Sequence, residues 1–140
     1  MPIRDFPFLA ITPDNQPRPW LPIKVFNPHK GKDIFTYGLI DTGADECSMP
    51  SFYASQLGHN LNKGTPKGIN TAGGITRAYS HTTAIDIFGK DLKTVAYHIP
   101  DTLIDFTDGL QVVLLGVKNF LDQFILEIAY PRQTFSIKRK

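Results

Sequence analysis

The sequence predicts an all-β protein: a small closed or nearly closed β-barrel with one or two short helices. Three observations carry this expectation. Short runs alternate apolar and polar side chains with a period of two, as in Thr83–Phe88 and Phe124–Ala129. Turn residues punctuate these runs at short intervals, among them Asn27-Pro28, Gly89-Lys90-Asp91 and Pro131-Arg132-Gln133. No stretch sustains a long helical period and no internal repeat is visible, which leaves a small barrel as the way to bury many short strands.

The chain of 140 residues is long enough to bury one core. It reads as a proline-rich arm over residues 1–20 followed by a single domain over 21–140. Hydrophobic residues make up 41% and charged residues 20%, the balance of a folded globular domain. The net charge is only +2, and Lys138-Arg139-Lys140 is too short a basic run to act as a nucleic-acid arm. No window approaches the roughly 20 apolar residues of a membrane span, and Met1–Pro7 has no secretory-signal layout. Cys47 is the single cysteine, so no internal disulfide forms. The expected setting is therefore cytoplasmic, with no nucleic-acid and no membrane partner. His29, His59, His81 and His98 lack metal-ligand spacing, so neither metal nor cofactor is expected.

Along the chain, Pro2, Pro7, Pro13, Pro17 and Pro19 remove ladder donors, so the arm reads as extended chain laid over the body and anchored by Phe8 and Trp20. Leu21–Phe26 is the first full strand, and Phe35–Ile40 the second. Pro50 and Gly58 frame a short helix with Phe52, Tyr53 and Leu57 inward. Residues 62–68 read as loop, and 69–79 as a hairpin about Gly73-Gly74. Residues 83–88 and 93–99 form a second hairpin, and 100–109 a loop or broken edge segment. Val112–Leu115 is a short buried strand, followed by a helical turn over Asn119–Gln123 and a final hairpin of 124–129 with 134–137.

The most informative stretch is Leu39-Ile40-Asp41-Thr42-Gly43-Ala44-Asp45. A buried strand should not end in a carboxylate unless something satisfies or uses it, because a lone buried charge is costly. Thr42 offers a hydroxyl and an N–H, and Gly43 permits a sharp turn with close backbone approach. A plain strand-end turn is the simpler reading of the triplet. Cys47 beside the loop has no histidine placed by the sequence to activate it, which favours a small buried residue over a nucleophile.

Downstream come Thr71-Ala72-Gly73-Gly74-Ile75-Thr76 and then Val112-Val113-Leu114-Leu115-Gly116 with Asn119-Phe120-Leu121. The three segments in this order, over Pro22 to Lys138, resemble the catalytic loop, flap and closing segment of retropepsins, the single-domain aspartic proteases, in the longer form of the bacterial and cellular branch. The resemblance implies an aspartic endopeptidase acting on a peptide or protein substrate. It implies catalytic roles for Asp41, Thr42 and Gly43. Substrate contacts are implied for Ala44, Asp45, Glu46, Ala72, Gly73, Gly74 and Ile75, with Glu46 favouring basic or polar substrate side chains. Two carboxylates must share one proton in this chemistry. One Asp-Thr-Gly per chain therefore implies a homodimer with Asp41 facing Asp41 across its axis.

The chain departs from the family after Gly116, where Val117-Lys118-Asn119 lacks the family's arginine. Lys118 could stand in toward Asp45, but without the planar fork of a guanidinium. Ile3 and Ser136 to Lys138 are candidates for a seam between copies. The alternatives to the protease are a retropepsin-fold peptide-binding or scaffold module that does not cleave, and an unrelated β-barrel binding protein.

Overall fold

The computed structural model describes residues 3–71 and 74–139. Its strands are β1 (Ile3–Pro7), β2 (Trp20–Phe26), β3 (Asp33–Ile40), β4 (Cys47–Pro50), β5 (Thr65–Thr71), β6 (Gly74–Phe88), β7 (Val95–Thr107), β8 (Val113–Leu115), β9 (Phe124–Ala129) and β10 (Thr134–Arg139). One helical turn, α1 (Tyr53–Gln56), follows β4, and 3-10 turns cover Leu61–Lys63, Leu121–Gln123 and Tyr130–Arg132.

Strands pair in the order β2-β3-β8-β4-β7-β6, and β6 returns to β2, which closes a six-stranded barrel. The expectation of an all-β barrel with little helix holds. β5 lies outside the ring and, among the described residues, pairs as a strand only with β6, so β5 and the first half of β6 form a hairpin. The core is filled by Leu21, Ile23 and Val25 of β2, Met49 of β4, Ile85 and Ile87 of β6, Ile99, Ile104 and Phe106 of β7, and Leu115 of β8. Alternation inward and outward gives β2, β6 and β7 their apolar faces.

The proline-rich arm is tied in at both ends. β1 pairs with β10, which pairs with β9, forming a three-stranded sheet beside the barrel. Ile3 sits opposite Ile137 and Phe6 opposite Phe135, all four buried. The segments expected as a seam between copies thus already pair within one chain. Phe8 packs edge-on against Tyr130 at 5.8 Å between ring centroids, and Trp20 is buried, as expected of anchors.

Several boundaries differ from the sequence reading. Pro50 closes β4 instead of opening a helix, and α1 is a single turn. The loop expected over 62–68 is largely strand, since β5 begins at Thr65. The loop expected over 100–109 is mostly β7, which runs unbroken through Pro100 to Thr107. Pro100 is tolerated because the register shifts there: Thr83 faces Thr102 and Ile85 faces Ile99, so Ala84 opposes the Pro100-Asp101 pair. A bulge absorbs the missing N–H that a regular ladder would expose. Among the described residues, no helix is long and apolar enough to cross a membrane.

Candidate active site

β3 and β8 run parallel, with Leu39 beside Leu114 and Ile40 beside Leu115. The backbone N–H of Asp41 donates to the Leu115 carbonyl at 3.0 Å, extending the ladder by one bond before the chain turns. The turn is closed by the Ala44 N–H on the Asp41 carbonyl at 3.2 Å. The Asp41 carboxylate accepts the Gly43 N–H at 3.0 Å. Asp41 is thus half-buried at the rim of the barrel, while Thr42 and Gly43 are exposed.

Behind this turn the Gly116 segment clamps the loop. The Val117 N–H donates to the Ala44 carbonyl at 3.0 Å and the Lys118 N–H to the Asp45 carbonyl at 2.7 Å. Lys118 therefore meets Asp45 through its backbone, and within the chain no ion pair joins their side chains.

Asp41, Gly43, Ala44, Asp45 and Glu46 line one side of a cleft of about 660 Å³, and Lys67, Gly68 and Ile69 of β5 line the other. β5 pairs with β6 as a hairpin, with Thr71 in register with Gly74. Gly74 has φ of +114°, a conformation that suits glycine, and Ile75 is 79% exposed. Ala72 and Gly73, expected to contact substrate, lie outside the described residues.

Glu46, expected as a side-pocket residue, lies in this cleft but is not free. Its Oε2 is paired with Lys67 Nζ, which also reaches Asp105 Oδ2 at 3.1 Å. Ser80 Oγ donates to Asp105 Oδ1 at 2.6 Å. Asp105 sits on β7 in register between Ser48 of β4 and Ser80 of β6, and its side chain is only 5% exposed. The Lys67 ammonium holds the Glu46 carboxyl below its ordinary range, whereas burial raises that of Asp105. The sequence reading missed Lys67, Ser80 and Asp105. The signal for Asp105 was present, since Leu103-Ile104-Asp105-Phe106 is another carboxylate inside an apolar run, as at Asp41.

Cys47 is buried beneath the loop, and burial pushes its thiol up to about 12, so it is no nucleophile. Among the described residues, no three histidine, cysteine or acidic side chains converge as metal ligands.

No family model matches the sequence, and no curated protein sequence does. Solved structures do match. A retropepsin-like aspartic protease from Rickettsia conorii superposes with a TM-score of 0.55 at 20% identity, covering 94% of this chain and 96% of that one. The protease of EIAV, solved with an inhibitor, gives a TM-score of 0.47 at 21% identity, covering 76% of this chain and 88% of that one.

Proposed function

Starting from its retropepsin-like fold, we propose that this chain is an aspartic endopeptidase that works as a homodimer and cleaves extended polypeptides. The observation that carries this reading is the position of Asp41. It is a half-buried carboxylate at the end of a barrel strand, lining a cleft whose other side is formed by β5 of the β5–β6 hairpin. The Rickettsia conorii protein of the same fold is named as an aspartic protease.

The roles follow from the chemistry. One Asp41 carboxylate acts as base toward a water, and the other, protonated, polarises the scissile carbonyl. Each copy carries one Asp-Thr-Gly, so the pair forms only across a two-fold axis. The exposed Thr42 is available to hydrogen-bond across that axis. Gly43 offers its carbonyl to the substrate, and Ala44, Asp45 and Glu46 bind it along one side. The β5–β6 hairpin covers the peptide, which lies as an added strand, and Ala72, Gly73, Gly74 and Ile75 are assigned to contact it. No metal or cofactor enters this scheme.

A second reading, a peptide-binding module that does not cleave, is favoured by the absence of an ion pair between Lys118 and Asp45 within the chain. One experiment separates the two. Casein is incubated from pH 3 to 7 with wild-type protein and with Asp41→Asn, while sedimentation reports the oligomeric state. Cleavage by the wild type that disappears in Asp41→Asn supports the protease. A dimer that cleaves nothing at any pH supports the binding module.

A further inference from the structure

The cleft is acidic in a chain that is not. Asp41, Asp45, Glu46 and Asp105 face it against Lys67 and Lys118, while the whole chain carries a net charge of +2. At one end, two of these carboxylates converge on a single cation. Lys67 Nζ sits against Glu46 Oε2 and lies 3.1 Å from Asp105 Oδ2.

The three partners are not equally fixed. Asp105 belongs to the barrel wall, is held by Ser80 Oγ at 2.6 Å, and shows only 5% of its side chain to solvent. Glu46 follows directly on the clamped Ala44-Asp45 backbone, and its side chain is 36% exposed. Lys67 is on β5, the outermost strand, and its side chain is 33% exposed on a flexible stem. The ammonium can swing into water, where Asp105 in the barrel wall cannot follow it, so the site it leaves calls for another cation. The lysine therefore marks where a cation binds while being the component easiest to replace. An acidic side chain arriving at the same place would meet two carboxylates and be repelled.

We propose that Asp105, together with Glu46, selects a lysine or arginine side chain of the substrate at this end of the cleft, and that Lys67 is the internal cation it displaces. Asp105 is thereby a specificity-determining residue. This inference rests on the cleft being the peptide-binding site.

The test uses extended peptides that differ at one position, carrying lysine, norleucine or glutamate, with that position scanned along the peptide. Binding is read by fluorescence anisotropy on the full-length Asp41→Asn protein, so the readout does not depend on cleavage; wild-type cleavage is measured in parallel. At one position the lysine peptide should bind about tenfold tighter than the glutamate peptide. Adding Asp105→Asn should bring that ratio near one, and adding Lys67→Met should raise it by removing the internal competitor. A ratio near one at every position, or a ratio that Asp105→Asn leaves unchanged, overturns the proposal. Should Asp105→Asn fail to fold, an unchanged or lower ratio in Lys67→Met does the same. Charge-selective binding without wild-type cleavage would overturn the protease and leave this inference standing. Cleavage without charge selectivity would do the reverse, and no binding of any peptide overturns both.

Discussion

The α-carbon of Gly116 lies against the backbone of Glu46 so closely that a Cβ there would stand 2.4 Å from the Glu46 carbonyl oxygen and 2.7 Å from that of Ala44. Both atoms belong to main chain that cannot rotate away as a side-chain tip could. The loop bearing Asp41 and the segment after β8 thus interlock through a contact only glycine permits. The loop is positioned from behind by this contact as much as by β3 from below.

Replacing Gly116 by alanine should therefore force the two segments apart. Overpacking of this kind costs about 1–3 kcal/mol, with rigid backbone placing it toward the upper end. Urea unfolding of Gly116→Ala should show a lowered midpoint, and any peptide hydrolysis should fall with it. A midpoint equal to that of the wild type would mean that the loop has slack this geometry does not contain.

The three-stranded sheet should matter to the stability of the whole. Phe135 of β10 is buried, stacks edge-on with Phe6 at 5.7 Å and lies 6.5 Å from Phe8. Phe135→Ala should destabilise the protein by about 3–5 kcal/mol. If the arm and the C-terminal hairpin were accessory, thermal unfolding of the variant would match that of the wild type.

His59 makes the fold sensitive to acid. Burial, with help from the neighbouring His81, lowers its folded value from 6.5 to about 4. The two rings stack at 4.5 Å, and the buried His59 Nε2 has no partner. The unfolded chain takes up this proton as pH falls through 6.5, while the folded ring resists until about 4. Stability contributed by the neutral ring is thus complete above this window and lost through it, by about 1–3 kcal/mol. Denaturation of wild type and His59→Gln at pH 7 and pH 4.5 should show a smaller acid-induced loss in the variant. Parallel losses in both proteins would remove His59 from the account.

Cys47 should be chemically silent in the folded protein. With its thiol pushed up to about 12 by burial, it should react with a disulfide reagent at pH 8 far more slowly than in urea. Equal rates in the two conditions would show that the floor beneath the Asp41 loop opens readily.

Much of this was legible in the chain. Period-two runs announced the second half of β6, the start of β7 and β9, and an apolar run ending in Asp41-Thr42-Gly43 announced the loop, because alternation and turn chemistry are properties of neighbouring residues. Pro100 misled for the same local reason: a proline argues against a strand unless the partner strand supplies a bulge, and Ala84 lies on β6. The length of β5 was likewise hidden, since Thr65-Pro66-Lys67-Gly68 has poor strand propensity and is ordered by pairing with Arg77 to Ser80.

The sequence by itself determined the class of fold and the identity of the carboxylate at the end of β3, because backbone sterics and the cost of burying charge act residue by residue. Only the tertiary structure decided what surrounds that carboxylate. Barrel closure brings β7 beside β4, which sets Asp105 next to Glu46, and the outer hairpin carries Lys67 over both. It also presses Gly116 against the loop. These relations join strands far apart in the chain through registers that depend on every strand between them. No local pattern encodes that quantity, so the character of the cleft could be read only once the barrel was closed.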